Sequence, residues 1–258
     1  MKPFYNERRL RVAISISPEG ELHLGHLRAL AYGKIIAEKN NLPFHFRYDD
    51  IYASTCKSYK NYPGKNERWE TDNPHVPKPG RAVYEWIRPQ HMINQQREKD
   101  SKIIDIIKPD KIYSLSEVKD EIREHYEKEV PWLSDLPIYF TEDLAWEFTY
   151  IVRGADWSSG GDHSYWSEMQ RCILSYYNVP YKEFIFPLML TEENEKISKS
   201  NKKHDKYFLS KIINIEEVWE KTLESVKIEI SKENIYVNGN WYRWWFNWFS
   251  YGKKYKTS

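Results

Sequence analysis

Two histidines near the N-terminus stand three residues apart and could bind phosphate. His23 and His26 flank Gly25 in the string HLGH, and Gly20 precedes them. Glycine lets a ligand approach the backbone closely, and an imidazole can donate a hydrogen bond to a phosphate oxygen as negative charge develops. If a helix begins here, its free N–H groups and its positive dipole end also favour an anion. The pattern therefore favours a phosphate site over the alternative, two surface histidines at the start of a helix.

Two lysines in a later polar stretch could serve the same chemistry. Lys196 and Lys199 flank Ile197 and Ser198 in the string KISKS, which follows the apolar run FIFPLML. Lysines on a mobile loop can close over a triphosphate and neutralise the charge that develops as pyrophosphate leaves. Taken alone, however, the stretch is more typical of a solvent-exposed, lysine-rich loop.

The segments around these residues predict a parallel sheet. The string LRVAISIS alternates and ends in a turn, LGHLRALAYGKIIAEKN has apolar residues at helical spacing, and LPFHFRYDD is again extended in character. Later in the chain, FTYIVRG and EFIFPLML predict two more strands, with a helix capped by Asp162 between them. Two β-α-β units indicate an α/β fold with a Rossmann-like, doubly wound parallel sheet.

The stretch between the two units breaks this pattern. Residues 52–137 contain Pro-, Lys- and Asn-rich segments, which predict an insertion between the two halves of one sheet. The expected domains are a Rossmann-like catalytic domain at residues 1–51 and 138–203, this connective insertion, and a short helical and aromatic extension at residues 204–258.

The extension ends in an aromatic stretch with three possible roles. Trp241, Trp244, Trp245 and Trp248 recur at helical spacing, and lysines follow them. The stripe could pack against the chain's own core, form a surface for a partner or a second copy, or stack on nucleic-acid bases. Packing against the core is the default interpretation.

Composition limits the partners and the location that are expected. The chain has 258 residues, with 39 Lys and Arg against 38 Asp and Glu and a net charge of +1. That balance requires neither a nucleic-acid partner nor a membrane. Cys56 and Cys172 are the only cysteines, and their spacing predicts neither a zinc site nor a disulfide framework, so no metal ligands are predicted. Because no apolar stretch approaches the roughly 20 residues of a membrane span, we expect a soluble, cytoplasmic protein.

Taken together, HLGH and KISKS resemble the HIGH and KMSKS motifs of class I aminoacyl-tRNA synthetases. Three further strings resemble the glutamyl/glutaminyl group of that class: SPEGELHLG, RYDD from Arg47 to Asp50, and VRGADW from Val152 to Trp157. The resemblance covers roughly Leu10 to Lys203 and leaves the insertion poorly matched.

The resemblance implies a ligase that uses ATP with Mg²⁺. In that class an amino acid is joined to AMP as an aminoacyl-adenylate and its acyl group then passes to an acceptor. The acceptor stays open: a tRNA end, a modified tRNA base, a peptide, a carrier protein or a small-molecule amine. Two other functions also stay open, a nucleotidyltransferase that makes a different adenylylated product and a non-catalytic paralogue. The stretch after Lys203 is too short for the anticodon-binding domain of this group, so anticodon recognition is not expected.

The resemblance also assigns roles to single residues. The catalytic residues would be His23, His26, Lys196 and Lys199. ATP would contact Gly20, Gly25, His23, His26, Asp156, Trp157, Lys196, Ser198 and Lys199. The amino acid would contact Ser15, Ser17, Arg47, Asp49, Tyr150 and Arg153, with Ser17 and Asp49 at its amino group and Arg153 at a carboxylate. The alternative for the acid and arginine positions is a structural ion pair at the end of a strand.

The chain departs from the group at the position that selects the amino acid. Glutamyl enzymes usually carry an arginine in the first strand, and here Ala13 occupies that position. Arg11 lies two residues earlier, on the same face of a strand and about 6.6 Å away. Glutamate or a close analogue is the first substrate to expect. Two alternatives follow: Arg11 or another cation binds its side chain, or the substrate's side chain is neutral or differently placed.

Overall fold

The computed structural model of the chain describes most of the predicted sheet. Its described residues are 3–16, 21–55, 65–69, 83–127, 138–155, 167, 170–171, 174, 177–191, 194–197 and 202–232. The tryptophan-rich stretch and the predicted helix cap Asp162 lie outside them.

Strands and helices alternate along the described residues. In chain order they are β1 (Tyr5–Ser15), α1 (Leu24–Asn40), β2 (Phe44–Asp49), β3 (Ile51–Thr55), β4 (Lys65–Trp69), β5 (Val83–Ile87), α2 (Gln90–Ile107), β6 (Lys111–Ser114), α3 (Leu115–Glu127), α4 (Ile138–Thr141), a 3₁₀ turn (Glu142–Ala145), β7 (Trp146–Gly154), β8 (Tyr181–Phe186), two 3₁₀ stretches (Lys202–Tyr207 and Leu209–Lys211) and α5 (Ile215–Lys232).

Five of the strands form one parallel sheet in the order β6-β2-β1-β7-β8. From β1 the chain first builds outward through β2 and β6, and then returns to the other side of β1 to add β7 and β8. The predicted α/β class with a Rossmann-like, doubly wound parallel sheet is confirmed. The direction of winding reverses between β1 and β7, and in open parallel sheets ligands bind beyond the carboxyl ends of the strands at such a switch point.

Helices pack on both faces of the sheet. On one face, α1, α2 and α5 bury a core with the even-numbered residues of β1, such as Leu10 and Val12. On the other face, α3, α4 and the 3₁₀ turn before β7 bury a smaller core around Trp146 and Ile151. Gly33 brings α1 close to the sheet, since a Cβ there would lie 2.5 Å from a methyl carbon of Val12.

The range predicted as an insertion contributes strands to two sheets. Within it, β3, β5 and β4 form a separate antiparallel sheet. Its later part belongs to the main fold, because β6 is an edge strand of the parallel sheet and α2 and α3 pack against that sheet. The strand β6 has only four residues, the first two of them exposed, so its sequence carries almost no hydrophobic alternation.

The described part of the C-terminal extension is helical and docks on α1. Trp219, Leu223 and Val226 of α5 are buried in the first core. At the edge of this contact, Glu229 accepts a hydrogen bond from Arg28 at 2.7 Å and another from the hydroxyl of Tyr32. None of the described helices combines the length and the apolar character that a membrane span requires.

Candidate functional site

The two histidines close the N-terminus of α1 as a capping box. The Nδ1 atom of His23, the N-cap residue, accepts a hydrogen bond from the backbone N–H of Gly25 at 3.0 Å. The Nδ1 atom of His26 accepts one from the backbone N–H of His23 at 3.1 Å. Capping boxes usually pair Ser or Thr with Glu or Gln. Here two imidazoles form the capping box, and their ring centroids are 3.8 Å apart.

This arrangement fixes the tautomer of both rings. A neutral imidazole carries one proton, and a nitrogen that accepts a hydrogen bond cannot hold it. Since Nδ1 accepts in both His23 and His26, each neutral ring carries its proton on Nε2. The capping box therefore gives the N-terminus of α1 two Nε2–H donors in addition to its backbone N–H groups.

The glycine between the histidines is needed because the ring of His23 lies against the first turn of α1. A Cβ at Gly25 would come within 2.8 Å of Cε1 and 3.0 Å of Nδ1 of His23. A larger residue would therefore force the imidazole of His23 to shift from its position against the helix end.

The first lysine of KISKS lies in a short hairpin beyond the carboxyl end of β8. Lys196 forms an antiparallel bridge with Leu190. Within this turn the backbone N–H of Thr191 donates to the carbonyl of Glu195 at 2.8 Å. Because β8 is parallel to β1, the hairpin and the start of α1 lie at the same edge of the sheet.

The chain beyond the lysines returns to the histidines. Phe208 forms an antiparallel bridge with His23, and the N–H of Leu209 donates to the carbonyl of Leu22 at 2.8 Å. His204, only 3% exposed, places Nε2 3.5 Å from a carboxylate oxygen of Glu195. These contacts join the segment after KISKS both to the lysine hairpin and to the N-cap of α1.

A layer of buried charges covers the face of the sheet opposite α1. It consists of Arg9, Arg11, Arg47, Glu142 and Asp143, hereafter the ion layer, and each of these residues is at most 4% exposed. Glu142 accepts hydrogen bonds at 2.7 Å from both terminal nitrogens of Arg9 and from Arg47. Asp143 accepts from Nε and a terminal nitrogen of Arg11 at 2.8 and 2.7 Å, and from Arg9 at 2.7 Å.

The arginines control the protonation of this layer. Burial acts to raise the pKa of Glu142, but the charges of Arg9 and Arg47 outweigh it and hold that pKa well below its usual range. In the same way, burial opposes and Arg11 and Arg47 produce the lowered pKa of Asp143. Both carboxyl groups are therefore ionised, so the layer consists of true ion pairs.

The residues predicted to bind the amino acid differ in their surroundings. Ser15 is exposed at the carboxyl end of β1, level with Asp49 of β2. Asp49 is buried, and its Oδ1 accepts a hydrogen bond from Nε of Arg47 at 2.7 Å. Arg153 is 9% exposed and pairs with Glu183 at 3.0 Å.

Tyr150 does not join the other predicted amino-acid-binding residues. Strand residues alternate between faces, and Tyr150 lies on the α1 side, where its ring stacks on Phe184 with centroids 5.9 Å apart. Its hydroxyl donates to Asn40 at the end of α1 at 3.4 Å. Tyr150 therefore lies on the other face of the sheet from Asp49 and Arg153, and its assignment to the amino-acid site stays a prediction.

Six predicted site residues lie outside the described part of the chain: Ser17, Gly20, Asp156, Trp157, Ser198 and Lys199. Their assignments stay predictions.

The ion layer contains three residues that the sequence interpretation did not single out. Arg9, Glu142 and Asp143 stand in the strings ERRLRV and TEDLAW. A signal did exist, because Arg9 and Arg11 alternate with apolar residues in β1 and so share one face of a strand that is buried on both sides. Charges on such a face need partners, and an acidic pair directly before another strand can supply them.

His45 lies beside the ion layer and is neutral. It is 3% exposed, and within the described residues its Nδ1 has no hydrogen-bond partner. Burial, followed by the charges of Arg9 and Lys111, lowers its pKa to about 3.

We expect His45 to make the protein less stable in mild acid. In the unfolded chain its pKa is about 6.5, so below that pH the unfolded state takes up a proton that the folded state refuses. The free energy of unfolding should then fall from pH 6.5 towards pH 3, by up to about 1.4 kcal/mol per pH unit. Urea unfolding at pH 7.5, 6 and 5 measures this slope. His45→Phe is the control, and equal slopes in both proteins between pH 6 and 5 would contradict the account.

Among the described residues, no three His, Cys, Asp or Glu side chains lie together in a group that could hold a metal ion. The donors at the start of α1 instead fit an anion, because they are N–H groups at the positive end of a helix dipole.

Comparisons with known proteins do not test the resemblance to synthetases. No protein-family model matches the chain, and no curated protein matches it. Among the solved structures that are similar, a macrolide-efflux protein from Streptococcus pneumoniae matches at a TM-score of 0.33 and 12% identity, over 75% of this chain and 49% of that one. This chain thus spans about half the length of that protein, and a likeness this weak carries no argument about either fold or function.

Proposed function

We propose that the chain is an ATP-dependent ligase that activates an amino acid as its adenylate and passes the acyl group to an acceptor, as glutamyl-tRNA synthetase-like enzymes do. The observation that carries this proposal is the bridge between His23 and Phe208. It brings the segment that follows KISKS onto the N-cap of α1, at the carboxyl edge of the parallel sheet beside its switch point.

In this proposal the start of α1 binds the phosphates of ATP. The Nε2–H groups of His23 and His26 donate to phosphate oxygens, and the first N–H groups of the helix add to the positive field. Mg²⁺ enters with the phosphates of ATP. The donors matter most in the transition state, when a carboxylate oxygen of the amino acid attacks the α-phosphorus and charge builds up on the departing pyrophosphate.

The lysines of KISKS approach the same charge from the hairpin after β8. Lys196 is positioned by its bridge to Leu190, and Lys199 follows in the part of the motif outside the described residues. The contact of His204 with Glu195 ties the hairpin to the stretch that reaches His23. Movement of the hairpin would therefore be coupled to the N-cap of α1, as expected for a loop that closes over a triphosphate.

The acyl acceptor in this proposal is a tRNA end, a modified tRNA base or another nucleophile. With 39 basic against 38 acidic residues the chain has little net positive charge. Each contact with a tRNA phosphate is usually made by a Lys or Arg. That balance favours a small acceptor over a large tRNA footprint.

Exchange of labelled pyrophosphate into ATP tests this proposal. We expect exchange that depends on one amino acid, measured over the twenty standard amino acids with and without total tRNA, because some related enzymes activate only when tRNA is bound. If ATP binds normally and no amino acid supports exchange under either condition, the proposal fails.

A further inference from the structure

On the ion-layer face of the sheet, close to its carboxyl edge, a short side chain lies between two long ones, and this place is hereafter called the recess. Ala13 of β1 lies level with Arg47 of β2, and since Val12 is level with Val152, Ala13 is also level with Arg153 of β7. Ala13 is half-buried, whereas Arg47 is only 1% exposed. A methyl group between two long side chains therefore forms the floor of the recess.

Polar residues border the recess on the side of the carboxyl edge. Ser15 is exposed two residues beyond Ala13, on the same face and level with Asp49. The hydroxyl and the carboxylate suit the ammonium group of an amino acid in the proposed function. The side chain of that amino acid would then point over Ala13, between Arg47 and Arg153.

The arginines around this recess are already paired with carboxylates of the protein. Arg9, Arg11, Arg47 and Arg153 pair with Asp49, Glu142, Asp143 and Glu183, and Arg171 shares Glu183 with Arg153. Arg47 is held by Asp49 and Glu142 at 2.7 Å each, and Arg153 by Glu183 at 3.0 Å. Two further groups on this face carry no charge at neutral pH, because burial keeps His45 neutral and raises the pKa of the Tyr113 hydroxyl.

Asp143 pairs with Arg11, so the guanidinium of Arg11 already has a carboxylate partner from the protein. It holds Arg11 through two hydrogen bonds, from Nε at 2.8 Å and from a terminal nitrogen at 2.7 Å. It also accepts a hydrogen bond from Gln170, and Gln170 in turn contacts Arg153. Asp143 thus neutralises the guanidinium of Arg11, which lies two residues from Ala13. Without Asp143 this guanidinium would attract a substrate carboxylate.

We propose that the recess above Ala13 takes an uncharged substrate side chain and that Asp143 sets this preference by neutralising Arg11. The inference rests on the proposed function. A zwitterionic amino acid with a neutral side chain adds no net charge to the site. An acidic side chain would add a negative charge beside arginines that are already paired with carboxylates, and burying an uncompensated charge is strongly unfavourable.

Two pairs of amino acids that differ mainly in charge test this inference on the unaltered protein. Titration calorimetry compares L-glutamine with L-glutamate and L-asparagine with L-aspartate, and adds a set of uncharged amino acids. We expect the tightest ligand to be uncharged and to bind at least about tenfold more tightly than either acid. Equal or tighter binding of an acid, or no binding by any uncharged amino acid, would overturn the inference.

This measurement separates the inference from the function on which it rests. Calorimetry measures the binding of the amino acid without any reaction, whereas pyrophosphate exchange measures catalysis. A protein that binds an uncharged amino acid but catalyses no exchange retains the inference and refutes the ligase. A protein that catalyses exchange with glutamate or aspartate retains the ligase and refutes the inference.

Substitutions test the role of Asp143. In Asp143→Asn, Arg11 loses its counter-charge, and we expect the ratio of acid to amide binding to rise about tenfold or more. Asp120→Asn, at an exposed position of α3, is the control and should leave the ratio unchanged. An unchanged ratio in a folded Asp143→Asn protein would overturn the assignment.

A second pair keeps the test available if Asp143→Asn does not fold. Ala13→Arg adds a charge at the floor of the recess, and Ala13→Gln adds a side chain of similar length without charge. We expect Ala13→Arg to bind glutamate at least about tenfold more tightly than Ala13→Gln does. Equal affinities would show that the recess does not receive the side chain and would overturn the inference.

Discussion

Replacing Glu142 with glutamine is expected to lower the free energy of unfolding by about 3–5 kcal/mol. The carboxylate of Glu142 accepts hydrogen bonds from Arg9 and Arg47 at 2.7 Å, and from the Tyr113 hydroxyl and the Trp146 indole at 2.8 Å. An amide keeps the shape but removes the charge, so two buried guanidinium groups lose a counter-charge that no water can replace. Breaking such a pair costs much more than the pair contributed, because the remaining charge stays buried.

Urea unfolding at neutral pH measures this loss, with Glu217→Gln as the matched control. Glu217 forms an exposed ion pair with Lys221 one turn along α5, and we expect its loss to leave stability nearly unchanged. A loss for Glu142→Gln as small as that of the control would mean that the ion layer does not hold the sheet and the 3₁₀ turn together.

The largest effect on catalysis is expected at His26. His26→Glu keeps the capping box, because Glu is a usual residue at this position, but it replaces an Nε2–H donor by an anion. His26→Ala removes both the donor and the cap. We expect either change to lower the rate of pyrophosphate exchange by about 100-fold or more, the usual effect of losing one well-placed donor to developing charge.

Stability separates the two roles of His26. His26→Ala should lose about 1 kcal/mol of stability with its cap, whereas His26→Glu should lose little. Exchange rates and urea unfolding of both proteins provide the test. If His26→Glu retains the exchange rate of the unaltered protein, the imidazole serves only to cap α1 and the phosphate site lies elsewhere.

The central strands and α1 could be predicted because their patterns are local. In β1 the apolar residues Leu10, Val12 and Ile14 alternate, and in α1 they recur at helical spacing, so short windows reveal both elements. Parallel pairing then followed from the order of strands and helices. The position of the histidines followed in turn, because a residue directly after β1 and at the start of α1 must lie at the carboxyl edge of the sheet.

The ion layer and β6 could not be predicted in the same way, since both depend on partners distant in sequence. Arg9 meets Glu142 across 133 positions, and nothing near either residue shows that the other is buried beside it. The strand β6 is placed by its pairing with β2, not by its own four residues. Arg11 shows why this matters for function. Its sequence position alone does not reveal whether its charge is neutralised within the protein, and its contact with Asp143 does.

Amino-acid-dependent exchange of labelled pyrophosphate into ATP, compared between the unaltered protein and His26→Glu prepared in the same way, tests the central claim most directly. The comparison removes the contribution of contaminating synthetases from the expression host, which would be equal in both preparations. With pooled amino acids, with and without total tRNA, the account predicts exchange by the unaltered protein and at least about 100-fold less by His26→Glu. Equal exchange in the two preparations, or none in either while ATP still binds, would contradict it.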